Sequence, residues 1–159
     1  MPNWCSNTLE VSHDDKKKID LLEKFLNERD GKEFFDFFVE PAKGDDWYTY
    51  NLDVYGCKWN CDANSHERTS DNTIFIMFES PWGPPINLYE LMESDEYGVF
   101  AEYHECGMGF VGRFEYGEDE YWEYHENIDA VPEDLAENWN LYEEIALLEE
   151  ENEDESSDR

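Results

Sequence analysis

Five side chains carry soft-metal chemistry: Cys57 and Cys61 with three residues between them, His66 shortly after, and His104 with Cys106 further along. Thiolates and imidazoles from two loops would suit a four-coordinate zinc ion. Their spacing matches no standard finger, and an unpaired cysteine is commonly a small buried apolar residue. The cysteines are therefore read as structural thiols, with no metal and no organic cofactor. A second set is polar and aromatic: Asn3, Asn7, Lys58, Trp59, Asn60, Asp62 and Trp82. Gathered on one sheet they would line a ligand cleft or an active site, with Lys58 a base only if buried. The plainer reading gives the tryptophans to the core and the asparagines to turn backbones. No catalytic triad, phosphate-binding loop or dinucleotide fingerprint accompanies them, and an enzyme is not expected.

The third set is the carboxylates. Against 11 basic residues the 159-residue chain carries 42 acidic ones, a net charge of −31, and beyond Thr69 only Arg113 and Arg159 are basic. Such an excess costs stability by self-repulsion, repels nucleic acid and anionic membranes, and speeds encounter with basic proteins. Glu115, Glu118, Asp119, Glu120, Glu123 and Glu126 fall on a predicted hairpin, and Glu133, Asp134, Glu137, Glu143 and Glu144 on a predicted helix. Duplex DNA carries one charge per ~1.7 Å of axis, and these two elements approach that density. The sharp expectation is a DNA mimic whose anchors are Tyr116, Tyr121, Trp122 and Tyr124, since desolvated aromatics supply much of an interface's affinity. Solvated faces that keep a small protein soluble are the plain alternative.

The elements that must position these groups centre on Thr73–Phe78, an almost unbroken apolar run that reads as a strand buried on both faces and stopped at Pro81. Upstream, Leu9 and Val11 alternate in a first strand. Ser12-x-x-Asp15 resembles a capping box opening a helix through Ile19, Leu22, Phe25 and Leu26 to Gly31. Phe34–Val39 is a strand or an extended cover, and Trp47–Val54 fits either period. Gly56–Asn60 is a short strand or turn, and the polar residues 63–72 connect it to the central strand. Ile86, Tyr89, Leu91 and Met92 mark a second helix, and Val99–Tyr103 another strand. This order is β-α-β-β-α-β, an α+β ferredoxin-like antiparallel sheet with two helices on one face. Residues 107–126 extend the sheet as an acidic hairpin, and Pro132 opens a helix with Leu135, Trp139, Tyr142, Ile145 and Ala146 on one stripe. Residues 1–148 form one domain, followed by an acidic, disordered tail over 149–159.

With 40% hydrophobic and 16% aromatic residues the chain can bury a real core. Four cysteines are too few for a disulfide scaffold of this length. No apolar run approaches the ~20 residues of a membrane helix, and the N-terminus lacks the basic and apolar regions of a signal peptide. A cytoplasmic protein is expected.

The opening MPNWCSNTLEV, the central GCKWN and the FESPWGPP corner together resemble the YubB-like proteins of conjugative plasmids and bacteriophages. Family members often read close to PNWCxN, WGTKW and a WSPP corner; here Cys57 stands for the common Thr and Tyr55 for the common Trp. The motif positions are Asn3, Trp4, Asn7, Gly56, Lys58, Trp59, Asn60, Trp82, Pro84 and Pro85, and the likeness covers roughly Met1 to Phe114. It implies a ferredoxin-like fold and a mobile-element origin in a bacterial host, and it carries no established activity. From Glu115 onward no family motif is matched. The resulting expectation is an acidic protein that binds and inhibits a basic host nucleic-acid-binding protein, one of the host's defences. The alternatives are an acidic interaction module that does not inhibit, or a ligand-binding domain or enzyme built on Trp59 and Trp82.

Overall fold

A computed structural model describes residues 2–157, with side-chain surroundings through Glu153. In chain order the elements are β1 (Trp4–Ser12), α1 (Lys16–Glu28), a 3-10 turn (Phe34–Phe37), α2 (Trp47–Val54), β2 (Ala63–Ser70), β3 (Thr73–Pro81), α3 (Ile86–Ser94), β4 (Gly98–Glu105), β5 (Phe110–Glu115), β6 (Glu118–Glu123), a 3-10 turn (Ile128–Ala130), α4 (Glu133–Asn138) and α5 (Leu141–Ser157). The strands form one six-stranded sheet in the order β2-β3-β1-β4-β5-β6, and every neighbouring pair is antiparallel. The protein is α+β, one open antiparallel sheet carrying several helices.

Alternation along the strands decides which face is covered. Leu9 and Val11 of β1, Ile74, Ile76 and Phe78 of β3, Val99 and Ala101 of β4 and Phe114 of β5 all point to a first face. There they meet Ile19 and Leu22 of α1 and Leu88, Tyr89 and Met92 of α3 in the main core. Fully burying each of Ile74, Ile76 and Phe78 is worth about 1.5–3 kcal/mol. The second face is covered only in part. Val111 and Trp122 pack there under Leu135, Ala136 and Leu141 of the C-terminal helices, together with Tyr124 and Val131.

Several sequence expectations are corrected. Strand β3 is buried on one face only: Met77, on the other face, is 45% exposed, and Phe75 is half-buried. An apolar run without alternation suggests two-sided burial, yet an antiparallel sheet tolerates apolar side chains on a solvated face. Asp15, not Ser12, caps α1, accepting a hydrogen bond from the Lys17 amide at 3.0 Å; Ser12 ends β1 with its side chain against Gly98. The polar stretch 63–70 is itself a strand, and Gly56–Asn60 is not. As an edge strand β2 needs little apolar character. His66 and Arg68 turn toward α1, bonding Asn27 at 2.9 Å and Glu23 at 3.2 Å.

The helical period wins over Trp47–Val54, and Phe34–Phe37 is a 3-10 turn. The C-terminal helix is two: α4 stops at Asn138, and Asn140 takes a positive φ of 53° before α5. Helix α5 runs on through Ser157, across most of the segment read from the sequence as a tail, with Glu149–Glu153 exposed; Asp158 and Arg159 lie outside the described residues.

Candidate functional site

Strands β5 and β6 are joined by Tyr116 and Gly117, with φ of 53° and 76°, the paired positive values of a tight type I′ hairpin turn. That turn holds Tyr116 out at 91% exposure. Because β6 pairs only with β5, its outer edge and much of both its faces are open. Glu118, Glu120 and Glu123 are exposed along it, with Glu126 just beyond and Glu133 and Glu137 on α4. Glu115 sits half-buried opposite Glu118 in register. Edge-strand carboxylates also block pairing with another chain's edge.

The predicted anchors divide. Tyr121 is half-exposed and packs on Phe110, ring centroids 5.3 Å apart. Trp122 is partly buried against the second-face core, and Tyr124 is fully buried in it, so those two hold the C-terminal helices rather than face outward. Asp119 accepts a hydrogen bond from Tyr103 Oη at 2.6 Å. Burial pushes its carboxyl above the usual range while the tyrosine bond opposes that shift, so it braces the Tyr103 ring where that ring lies over Gly112.

Asp134 is engaged as well. The Arg113 guanidinium donates to Glu102 Oε2 at 2.7 and 3.1 Å and to Asp134 Oδ2 at 2.6 Å, and Asn138 donates to Glu102 at 3.1 Å. Glu102 is 5% exposed, so the clamp ties the sheet to α4 from within. Burial works against the Arg113 charge, but Glu102 and Asp134 outweigh it and hold the guanidinium above its ordinary value. The hydrogen bond from Arg113 in turn holds Asp134 below the usual carboxylate range. Arg113 is the only cation from Thr69 to Ser157, and it is neutralised where it stands. The acidic surface around β6 and α4 therefore has no counter-charge of its own.

A second polar cluster fixes α5. His104 Nε2 lies 2.9 Å from Tyr124 Oη and 3.3 Å from Glu144 Oε1, and Trp139 stacks beside its ring at 5.4 Å. His125 approaches the other Glu144 oxygen at 3.6 Å. Glu144 thus belongs to this inner network, whereas Glu143 is exposed.

The motif residues gather at one end of the sheet and are mostly engaged with backbone. Asn7 donates to Cys5 O and Ser80 Oγ, both at 2.9 Å; Asn60 accepts from the Phe35 amide at 2.9 Å and donates to Asp36. The Trp82 amide donates to Asn3 O at 2.8 Å. Trp4 and Trp59 meet edge-on at 6.1 Å, and Lys58 Nζ stands 5.0 Å from the Trp59 ring centre. Gly56, at φ 89°, comes so close to α3 that a Cβ would stand 3.0 Å from the Asn87 amide nitrogen. Pro84 and Pro85 lead into α3. Trp82 is half-exposed at φ 68°, and Asp62 pairs at the surface with Arg29 at 3.0 Å. Asn60 thus bonds a turn as expected, whereas Asn7 ties β1 to β3 and Asn3 contributes its backbone carbonyl. The tryptophans are not in the core, since Trp4 and Trp82 are both nearly half-exposed and Trp59 meets Trp4 edge-on beside Lys58.

The soft-ligand residues do not converge. Cys57 and Cys61 share the Trp59 carbonyl at 3.4 and 3.7 Å on the first-face side, His66 is taken by Asn27, His104 faces the other side, and Cys106 is exposed. Among the described residues no group of three or more His, Cys, Asp or Glu side chains is placed to hold a metal ion, and no helix is long and apolar enough to cross a membrane.

Sequence reasoning missed the Arg113 clamp and the His104–Glu144 network. A lone arginine in an acidic half was the available signal for the first; the second joins residues forty positions apart and left none. It also missed the apolar strip on the second face formed by Phe75, Met77 and Phe100. No family model, no curated protein and no solved structure matches the chain.

Proposed function

We propose that the protein binds a basic nucleic-acid-binding protein of a bacterial host, and blocks it, through the acidic surface of β6, α4 and the start of α5. The observation that carries this reading is the open edge strand with Glu118, Glu120 and Glu123 beside the exposed acids of α4, next to a single arginine already consumed by Glu102 and Asp134. A strand advances about 3.4 Å per residue, and phosphates follow one another at about 3.4 Å of axis along one DNA strand. Glu118 and Glu120 share one face of β6 and so stand about 6.8 Å apart, the rise of every second phosphate; that spacing supports mimicry, while Asp119 on the other face is engaged with Tyr103. Tyr116 and Tyr121 are the exposed aromatic anchors beside it. Carboxylates set the encounter rate, and desolvated rings set the lifetime.

The fold reading belongs here too. Residues 4–105 are proposed to be a ferredoxin-like unit of the YubB-like kind. The order β2-β3-β1-β4, with α1 and α3 in the two crossovers, supports it. The hairpin and the C-terminal helices are then an addition to that unit, and the addition carries the acidic surface.

The test is capture from nuclease-treated bacterial lysate on the immobilised protein, followed by competition with duplex DNA. A basic nucleic-acid-binding protein that duplex DNA displaces supports the reading. Captured proteins indifferent to duplex DNA would refute mimicry and favour a module that binds without blocking.

A further inference from the structure

The second sheet face is open over β2, β3, β1 and the start of β4. Two adjoining cavities of about 500 and 420 Å³ lie there and share Glu10 and Phe100. Thr8, Phe75, Met77 and Phe100 form the floor of the larger, and Trp139 forms part of the wall that α4 raises beside it. The floor is apolar and Met77 is 45% exposed. The surroundings are acidic: Glu10, Glu67 and Glu79 stand exposed on the same strands, and Glu93 and Glu115 line the smaller cavity. Among the described residues Arg113 is the only cation lining either cavity, and it is held by Glu102 and Asp134.

We infer that this groove receives a basic amphipathic helix of the partner protein, which rests on the functional reading above and names the segment it engages. Dimensions favour a helix. Strands about 4.8 Å apart leave an open strip of about 10–14 Å, the width of one helix of about 10–12 Å diameter. The C-terminal helices already cover the other part of this face in the same way. Charge selects a basic occupant, because an acidic rim around an apolar floor rewards cations flanking an apolar stripe. Charge also disfavours a second copy of this chain, since each carries −31.

The probe is a synthetic peptide of about 18 residues, about 27 Å long as a helix, with Leu at helical spacing on one face and Lys elsewhere. A peptide of identical composition with the stripe scrambled is the control. Binding to the full chain is followed by NMR. The striped peptide is expected to bind about tenfold or more tightly than the scrambled one and to shift the Met77 methyl and Trp139 indole signals. Met77→Gln and, separately, Phe75→Thr should remove that advantage while leaving the scrambled peptide's weak binding unchanged; the wild-type shifts carry the test if either variant folds poorly. Equal binding of the two peptides, or shifts confined to β6, would overturn the groove while leaving the acidic-surface reading intact. A concentration-dependent dimer abolished by Met77→Gln would also overturn it, by making a second copy the occupant. Groove binding by the striped peptide together with a lysate capture that duplex DNA fails to displace would sustain the groove and sink the mimicry.

Discussion

Replacing Arg113 by Met removes the one positive charge that the acidic half of the molecule keeps inside. Glu102, 5% exposed, would lose donors at 2.7 and 3.1 Å and keep only Asn138. Two opposite charges at ~4 Å attract by about 4 kcal/mol at an effective dielectric constant of about 20. Stripping one partner from a buried pair typically costs about 3–5 kcal/mol, because the survivor stays charged and poorly solvated. Arg113→Met should therefore destabilise the fold by about 3 kcal/mol. With a urea dependence of about 2 kcal/mol per molar, the unfolding midpoint falls by about 1.5 M. Asp134→Asn, at a 65% exposed carboxylate, should move it far less. Adding Glu102→Gln to Arg113→Met removes the stranded charge and should restore part of the loss. The assay is urea denaturation followed by far-UV circular dichroism and by tryptophan fluorescence. A loss below about 1 kcal/mol for Arg113→Met, or no recovery in the double variant, would refute the assignment of Arg113 as a buried clamp.

Three further outcomes follow from the same geometry. Native labelling with a thiol reagent at pH 8 should modify Cys106 alone, since it is exposed while Cys5, Cys57 and Cys61 are buried and burial pushes the Cys5 thiol up to about 12; all four should react in denaturant, and fast native labelling of Cys57 or Cys61 would contradict the core described. Burial pulls His104 below its ordinary 6.5 against the opposing pull of Glu144 and Glu105, with His125 also lowering it. The unfolded chain therefore takes up that proton first, and the His104 contribution is full above pH 6.5 and declines as pH falls below it; an NMR titration midpoint above 6.5 would reverse the sign. Gly112→Ala should cost about 1–3 kcal/mol, because its Cβ would collide with the Tyr103 ring, and an unchanged urea midpoint would show that the ring does not rest there.

The parts of the fold legible in sequence were those where alternation and burial agree. Leu9 and Val11 and the α1 and α3 stripes fall where their periods put them, and Ile74, Ile76 and Phe78 reach the core, although the unbroken apolar run hid the open face that carries Phe75 and Met77. The polar strand β2 was illegible because an edge strand is held by backbone pairing, which leaves no trace in side-chain type. Trp47–Val54 was ambiguous because its apolar residues satisfy both periods, and five of its eight residues end up exposed. The break at Asn140, whose positive φ suits an asparagine at a helix end, went unseen because the apolar stripe from Leu135 to Ile145 runs on across it at helical spacing. For the candidate site, the charge excess and the hairpin were plain, but the division of its residues was not. Spacing alone does not tell Tyr121, half-exposed, from Tyr124, buried beside His104; that follows from where α4 and α5 settle on the sheet.

The central claim is that carboxylates on the open β6 edge and the adjoining turn draw in a basic partner. Asp119 braces Tyr103 and is best left in place, so the variant that isolates the claim is Glu118→Gln, Glu120→Gln, Glu123→Gln and Glu126→Gln together. The measurement is the association rate with the captured partner between about 50 and 200 mM salt, the span over which phosphate-like contacts lose most of their strength. For the wild type the rate should fall steeply with salt, and for the variant it should start lower and fall less, with dissociation little changed. Equal rates and equal salt slopes for the two proteins would contradict the account.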